Sequence, residues 1–220
     1  MTADDVLQVI EVERDSFPTM WPPTAFTREL RNNIAHYLVV VEHNPDAETR
    51  RPAPSSPATT PSPRPFGWLL DELRQFLWTT QSQALPPIEE RPELIAGFIG
   101  GWLLPDEIHI VTFGVRQSHR RSGIGEALLI AAIELARHHG RDLVTLECRV
   151  SNEAALALYD KYAFEKVGLR PRYYSDNRED AFLLTASSVL SDRYHTDFEA
   201  LKAAHQRRFG EFAREEWDDE

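Results

Sequence analysis

The stretch whose reading decides the fold is Ile108–His139, IHIVTFGVRQSHRRSGIGEALLIAAIELARHH. Ile108–Val115 is rich in β-branched and aromatic residues, the composition of a buried strand. Arg116–Ser122 is polar and basic, the composition of a surface loop. From Gly123 the spacing turns helical: Ile124, Leu128, Ala131 and Leu135 keep one apolar face, and Gly140 supplies a C′ stop. The stretch reads strand, basic glycine loop, helix. At a helix start, Arg120-Arg121-Ser122-Gly123-Ile124-Gly125 presents unbonded backbone N–H groups and the positive end of the helix dipole. Its glycines let an anion come close to the backbone and its arginines add charge, which suits a phosphate or pyrophosphate. Glycines beside a helix start also serve as plain turn chemistry. The spacing Arg-x-x-Gly-x-Gly is neither a Walker loop nor a full dinucleotide fingerprint.

The chain has 220 residues, 42% hydrophobic and 10% aromatic, enough for one good core with appendages. A net charge of −11 argues against general nucleic-acid binding and favours basic partners, so the basic loop stands out. Cys148 is the only cysteine, which excludes an intramolecular disulfide or a cysteine zinc cluster and suits a reducing cytoplasm. The start, MTADDVLQVIEVERD, is acidic and periodic, unlike a signal peptide. The longest apolar run, Leu94–Leu104, has eleven residues against the roughly 20 of a spanning helix, so a soluble protein without membrane partners is expected.

Working outward, Asp4–Phe17 reads as an amphipathic helix stopped by Pro18, and Thr24–Asn33 as a short helix capped by Thr24. Tyr37–Glu42 is a strand. The insert 43–93 then breaks the pattern: 44–65 holds seven prolines without apolar periodicity, a disordered linker, and 66–80 reads as an amphipathic helix. Leu94–Leu104 pairs with Ile108–Val115 as a hairpin across Pro105-Asp106-Glu107. Val144–Val150 is a strand, Asn152–Tyr162 a helix, and Phe164–Leu169 and Ala181–Thr185 two more strands. Residues 187–220 form a charged tail, helical from Tyr194 and read as a solvated end. The order implies a mixed α/β sheet with a right-handed crossover.

Glu147 lies mid-strand, where carboxylates are depleted; pairing with Arg149 or a solvent-facing edge would explain it without chemistry. Taken alone, Tyr159 reads as a core aromatic and Asn152 as an N-cap. The histidines show no ligand spacing, so no metal is assigned, and no serine carries an elbow motif.

Taken together, Arg120-x-x-Gly-x-Gly, LECRVSNEAALALYDKYAF at 146–164 and RYYSDNREDAFLL at 172–184 resemble the GNAT acetyltransferases. Within them the resemblance is to the ribosomal-protein-alanine N-acetyltransferases (RimI-type), helped by Glu13-Arg14-Asp15-Ser16-Phe17 and Trp21. It covers 1–42 and 94–185 and implies a GNAT fold over 1–186 interrupted by the insert. It implies acetyl-CoA as donor and, as acceptor, the N-terminal amine of a protein, the family's being an N-terminal alanine of a basic small-subunit ribosomal protein. Backbone at Phe113, Gly114 and Val115 would pair with the pantetheine arm. The amides of Arg121, Ser122, Gly123, Ile124, Gly125 and Glu126 would hold the pyrophosphate, and Asn152 would touch the cofactor. Glu147 would be general base and Tyr159 general acid. Oligomeric state is left open. Lysine or small-amine acetylation, or a non-catalytic acetyl-CoA sensor, are the alternatives.

Two departures from the family stand out. Only Met1-Thr2-Ala3 precedes the first helix where the family has a strand, so that strand is lost or the start is misplaced. Ala163 replaces the usual glycine after the tyrosine helix, at about 1 kcal/mol if left-handed geometry is kept. Because loop closure depends weakly on length, about 0.6 kcal/mol per doubling, replacing 44–65 by a Gly-Ser connection of similar reach should leave the melting temperature and kcat nearly unchanged. A cooperative loss of folding in thermal melts would show that the segment is structural.

Overall fold

A computed structural model describes residues 1–17, 24–44 and 91–213. Helices α1 (Val6–Ser16) and α2 (Phe26–Glu29) lead into β1 (Ala35–His43), β2 (Glu93–Leu103) and β3 (Glu107–Val115). A 3₁₀ turn, Gln117–His119, precedes α3 (Ile124–His138). Then come β4 (Leu143–Arg149), α4 (Glu153–Lys161), β5 (Glu165–Arg170), β6 (Ala181–Ser187) and α5 (Asp192–Phe209). The six strands form one mixed sheet in the order β1-β2-β3-β4-β6-β5, as the α/β reading expected. The linker after Asn44, the helix over 66–80, Pro18 and Trp21 lie outside the described residues.

The chain divides into two units, Met1–Glu42 with Ile95–Glu220, and His43–Leu94. In the second, the His43 imidazole faces the Glu93 carboxylate at 3.5 Å and the Asn44 amide donates to the Pro92 carbonyl at 2.7 Å. The first holds two apolar clusters. Val9 and Val12 of α1 and Phe26 of α2 pack with Tyr37, Ile95 and Phe98. The larger cluster joins Ile108 and Ile110 of β3, Val144, Leu146 and Cys148 of β4, and most of the apolar residues of α3. Strand alternation sends those side chains to one face and His109, Thr145 and Glu147 to the other.

Eight of the 15 residues of α3 are buried, more than a single face supplies. A helix this apolar needs cover on two sides. The second cover is α5, so the tail is not simply a solvated end. Phe198 is 2% exposed, stacks on Tyr194 at 6.2 Å and meets Tyr162 edge-on. Burying that ring contributes roughly 2 kcal/mol. Lys202 adds an ion pair to Glu134 of α3 at 2.6 Å.

Two helix starts show how local chemistry was redirected. Thr24 does not cap α2, whose N-cap is Ala25 with no side-chain bond. Its hydroxyl and amide donate instead to the buried Glu13 carboxylate, tying α2 to α1. Asn152 does cap α4, accepting from the Ala155 amide at 3.3 Å.

At the other end of α4, Ala163 adopts φ +59°, the left-handed conformation expected there. Its amide donates to the Asp160 carbonyl and the Phe164 amide to that of Tyr159, a Schellman stop closed by the Tyr159–Phe164 ring contact at 5.6 Å. Alanine pays about 1–2 kcal/mol for this geometry, and glycine loses about 0.5–1 kcal/mol of chain entropy instead. Ala163→Gly should therefore stabilise the protein by up to ~1 kcal/mol and raise the melting temperature by about 2–4 °C in calorimetry.

Candidate active site

Strand β3 runs parallel to β4 only from Glu107↔Leu143 to Ile110↔Leu146. At that point the β2–β3 register shifts, with Gly100 opposite Thr112 and Gly101 opposite Ile110, so Val111 is an extra residue on β3. A bulge bends its strand and increases the local twist. Beyond it Phe113, Gly114 and Val115 pair with Ile99, Phe98 and Gly97 of β2, while β4 stays paired with β6 on its other side. The sheet thus opens into a cleft between β3 and β4, with Glu147 one residue past the last pair. Helix α1 braces the β3 side. Ser16 donates to the Val115 carbonyl at 3.2 Å, and a Cβ on Gly114 would sit 2.8 Å from the Ser16 hydroxyl. The buried Arg116 clamps the same corner, bonding the Ile95 carbonyl at 2.7 Å and Glu11 at 3.0 Å.

The glycine loop leaves β3 through Gln117–His119 and turns at Arg121 (φ +69°) and Gly123 (φ +86°) into α3. Gly123 is the N-cap, and no side chain caps the first turn. The amides of Ile124, Gly125 and Glu126 therefore point out of the helix end without an intrahelical acceptor. Gly125 leaves its surroundings open: an added Cβ would meet only Phe113 and Val115 at 3.7 Å. Arg120 and Arg121 are exposed beside it. Glu126, the wrong charge for an anion site, is turned away. It accepts from the Tyr162 hydroxyl at 2.7 Å and from Lys161. Burial pushes its carboxyl up, but these two donors outweigh burial and bring it below the ordinary value. The loop fits a pyrophosphate in shape, charge and free donors.

Glu147 is 7% exposed and pairs with neither Arg149 nor solvent. Its carboxylate meets Arg170 Nε of β5 at 2.7 Å and His109 Nε2 of β3 at 3.3 Å. The other ring nitrogen of His109 lies 2.8 Å from the Thr145 hydroxyl. The His109 hydrogen bond, opposed by burial and reinforced by the charges of His109 and Arg170, holds Glu147 below the usual carboxylate range. The reciprocal bond, against burial, lifts His109 above its ordinary value. Arg149 is engaged elsewhere, binding Asp176 at 2.8 Å and Glu179 at 3.1 Å and lying 3.8 Å over the Tyr174 ring, which fixes the 171–180 loop.

Tyr159 sits on the opposite face of β4 from Glu147, in the core with Cys148. Burial, then the neighbouring Cys148 and Tyr174, pushes its hydroxyl far above the usual tyrosine value, so it stays protonated. Cys148 is likewise pushed up to about 11 by burial and is no nucleophile. The structure brings Glu147 together with His109 and Arg170, and the loop residues 121–126 with one another. It places Tyr159 across the strand. His109 and Arg170 were missed because their link to Glu147 crosses three strands. The one local hint was a lone His inside an apolar strand.

Residues 53–164 match the family described as Acetyltransferase (GNAT). The chain belongs to the GNAT acetyltransferase family. It is 29% identical over 190 residues to the N-alpha-acetyltransferase RimI of Mycobacterium tuberculosis, covering 86% of this chain and 90% of that one. It is 35% identical over 92 residues to the [Ribosomal protein bS18]-alanine N-acetyltransferase of Escherichia coli, 41% of this chain and 62% of the relative. The crystal structure of the ribosomal-protein-S18-alanine N-acetyltransferase from Escherichia coli superposes with a TM-score of 0.57 at 20% identity, over 86% of this chain and 90% of that one, a likeness of fold. The expected GNAT fold and acetyltransferase class both hold.

The Glu147–His109 pair gives this GNAT protein a pH signature. His109, raised above 6.5, contributes stability that is full below 6.5 and lost as pH rises through its folded value. Glu147, lowered below 4.5, contributes stability that is full above 4.5 and lost as pH falls through its folded value. The stability advantage of wild type over His109→Gln should therefore be greatest between pH 4.5 and 6.5 and shrink on either side in urea titrations. A pH-independent difference would show that the pair is not ionic.

Proposed function

We propose that the protein is a cytoplasmic N-alpha-acetyltransferase that moves acetyl from acetyl-CoA to the α-amine of a protein N-terminus. The proposed acceptor is an N-terminal alanine of a basic small-subunit ribosomal protein. The observation that carries the reaction is the cleft where β3 leaves β4, with Glu147 at its mouth and free amides of α3 at its end. The acceptor rests on the named relatives and on the net charge of −11, which attracts a basic chain. Among the described residues no helix is long and apolar enough to cross a membrane.

Acetyl-CoA supplies the acetyl group as a thioester. In the proposed assignment Arg121, Ser122, Gly123, Ile124, Gly125 and Glu126 offer their amides to its pyrophosphate. Phe113, Gly114 and Val115 offer a strand edge to its pantetheine, and a backbone N–H there polarises the acetyl carbonyl. Asn152, its Oδ1 engaged by α4, presents Nδ2. An α-amine with a pKa of about 7.7–8.0 must lose a proton before attack. A carboxylate held as low as Glu147 is a weak base alone. His109, 3.3 Å away and with its own value raised by the Glu147 hydrogen bond against burial, adds an acceptor closer to the amine's basicity. Tyr159, kept protonated, returns a proton to the departing sulfur. The apolar core that weakens it as an acid also strengthens a thiolate released beside it.

Glu147→Gln and Tyr159→Phe should each lower kcat by about 10²–10⁴-fold with acetyl-CoA affinity little changed. Tyr159→Phe keeps the ring that closes α4, so its melting temperature should stay near wild type. Folded variants with wild-type turnover would remove the catalytic assignment. A mass-spectrometric screen of N-terminal peptides, lysine peptides and polyamines decides the acceptor: acetylated lysine or polyamine without acetylated N-termini would overturn the α-amine reading.

A further inference from the structure

We infer that the C-terminal helix α5 is part of the coenzyme site: His205 and Phe209 position the Gly123 turn on which the diphosphate of an acyl-CoA docks. This rests on the proposed role of 121–126 and adds residues that the donor-site reading does not contain. His205 is 4% exposed, and its Nε2 hydrogen-bonds the Gly123 carbonyl oxygen at 3.0 Å. An imidazole nitrogen facing a carbonyl must carry the proton, so the ring is held with Nε2–H. The Phe209 ring closes the other approach, since a Cβ built on Gly123 would lie 2.6 Å from Phe209 Cγ and 3.0 Å from His205 Nε2. The imidazole is itself packed between Phe209 and Phe212, with ring centroids at 5.1 and 5.5 Å.

The Gly123 carbonyl already accepts the Ala127 amide at 2.9 Å, the first bond of α3. The helix does not need a second donor there. What the second donor fixes is orientation. The Gly123 carbonyl and the Ile124 N–H belong to one planar peptide group. Gripping the oxygen from the α5 side aims that N–H away from α5, toward the open end of the loop. The grip is useful because the loop is strained. Arg121 is left-handed without being glycine, and Gly123 at φ +86° has a wide choice of conformations when released. A turn held in its binding conformation loses less entropy when an anion arrives. Helix α5 is a firm base for the grip, being anchored on α3 through Phe198 and through Lys202–Glu134.

The test compares wild type with His205→Met, which keeps volume and removes the donor, and His205→Gln, whose amide can donate from the same reach. Calorimetry with CoA, hydrogen exchange at 121–126 in the free and CoA-bound protein, thermal melts and acetyl-transfer kinetics are read together. His205→Met should weaken CoA binding by roughly tenfold, with the loss in KM for acetyl-CoA rather than in kcat, and should speed exchange at 121–126. His205→Gln should recover most of the affinity. A folded His205→Met with wild-type CoA affinity overturns the inference, as does a variant whose melting temperature falls while affinity stays. If His205→Met does not fold, Phe209→Leu serves in its place, with weaker CoA binding expected and unchanged binding overturning the inference. Wild type that binds CoA without protecting 121–126 refutes the donor-loop reading, and this inference with it. Protection in wild type with an unaltered His205→Met refutes this inference alone.

Discussion

The parting of β3 from β4 beyond Ile110 and Leu146 is the constraint on which the rest of the arrangement depends. Two parallel strands stay hydrogen-bonded unless something turns one of them. Here the extra residue Val111 turns β3 while β6 keeps hold of β4 along its whole length. Everything chemical in the site borders that opening. β3 ends in the glycine loop, β4 carries Glu147 into the mouth, and the crossover between them is α3, whose first turn faces the same end. Repairing the bulge would close the cleft without removing a single candidate catalytic residue.

Opening a sheet exposes backbone, and the fold offsets that cost by bracing both walls. On the β3 wall the braces come from α1, through Ser16 on Val115 and Glu11 on Arg116. On the β4 wall Arg170 and His109 converge on Glu147, while Arg149 ties down the 171–180 loop. Glu147 is thus a half-buried carboxylate held by Arg170 and His109 from different strands. Removing a partner from such a group leaves a charge without compensation. In the proposed assignment, structure and chemistry share one set of contacts, so kinetic and stability effects of these residues are expected to be coupled.

The strand-loop-helix stretch, the hairpin, the crossover and the closing strands were legible in the sequence because each rests on local periodicity. The left-handed stop at Ala163 was anticipated only through the resemblance, because Ala163 stands where the family has glycine after the tyrosine helix. Contacts between distant segments were not legible. Nothing near Thr24 signals that its hydroxyl serves Glu13, eleven residues back, rather than α2. Glu147 invited pairing with Arg149, two residues away on the same strand face. The nearer cation is drawn off by Asp176 and Glu179, and the partners come from strands β3 and β5. The tail misled for a different reason. Its charged residues suggested a solvated helix, whereas a few well-spaced apolar side chains suffice to cover α3. The excess of apolar residues over 124–138 was the available signal, since one face of a helix cannot account for all of them.

The charge distribution obeys the same geometry. In the proposed reaction an acidic chain repels the polyanionic donor and attracts a basic acceptor, so the two approach it at different places. Arg120 and Arg121 stand at the start of α3, where the helix dipole adds to them and Lys161 cancels Glu126. Glu147 stands on the other face of the sheet from the core that holds Tyr159 and Cys148. In the proposed reaction the amine reaches the carbonyl from the polar face and the sulfur leaves toward the apolar one. The strand between them keeps the proton that is taken up and the proton that is returned on separate groups. A single residue could not serve both ends, because the amine needs an ionised acceptor and the sulfur needs a neutral donor. Strand alternation points Glu147 to the polar face and its neighbour Cys148 to the core, where Tyr159 of α4 packs beside it.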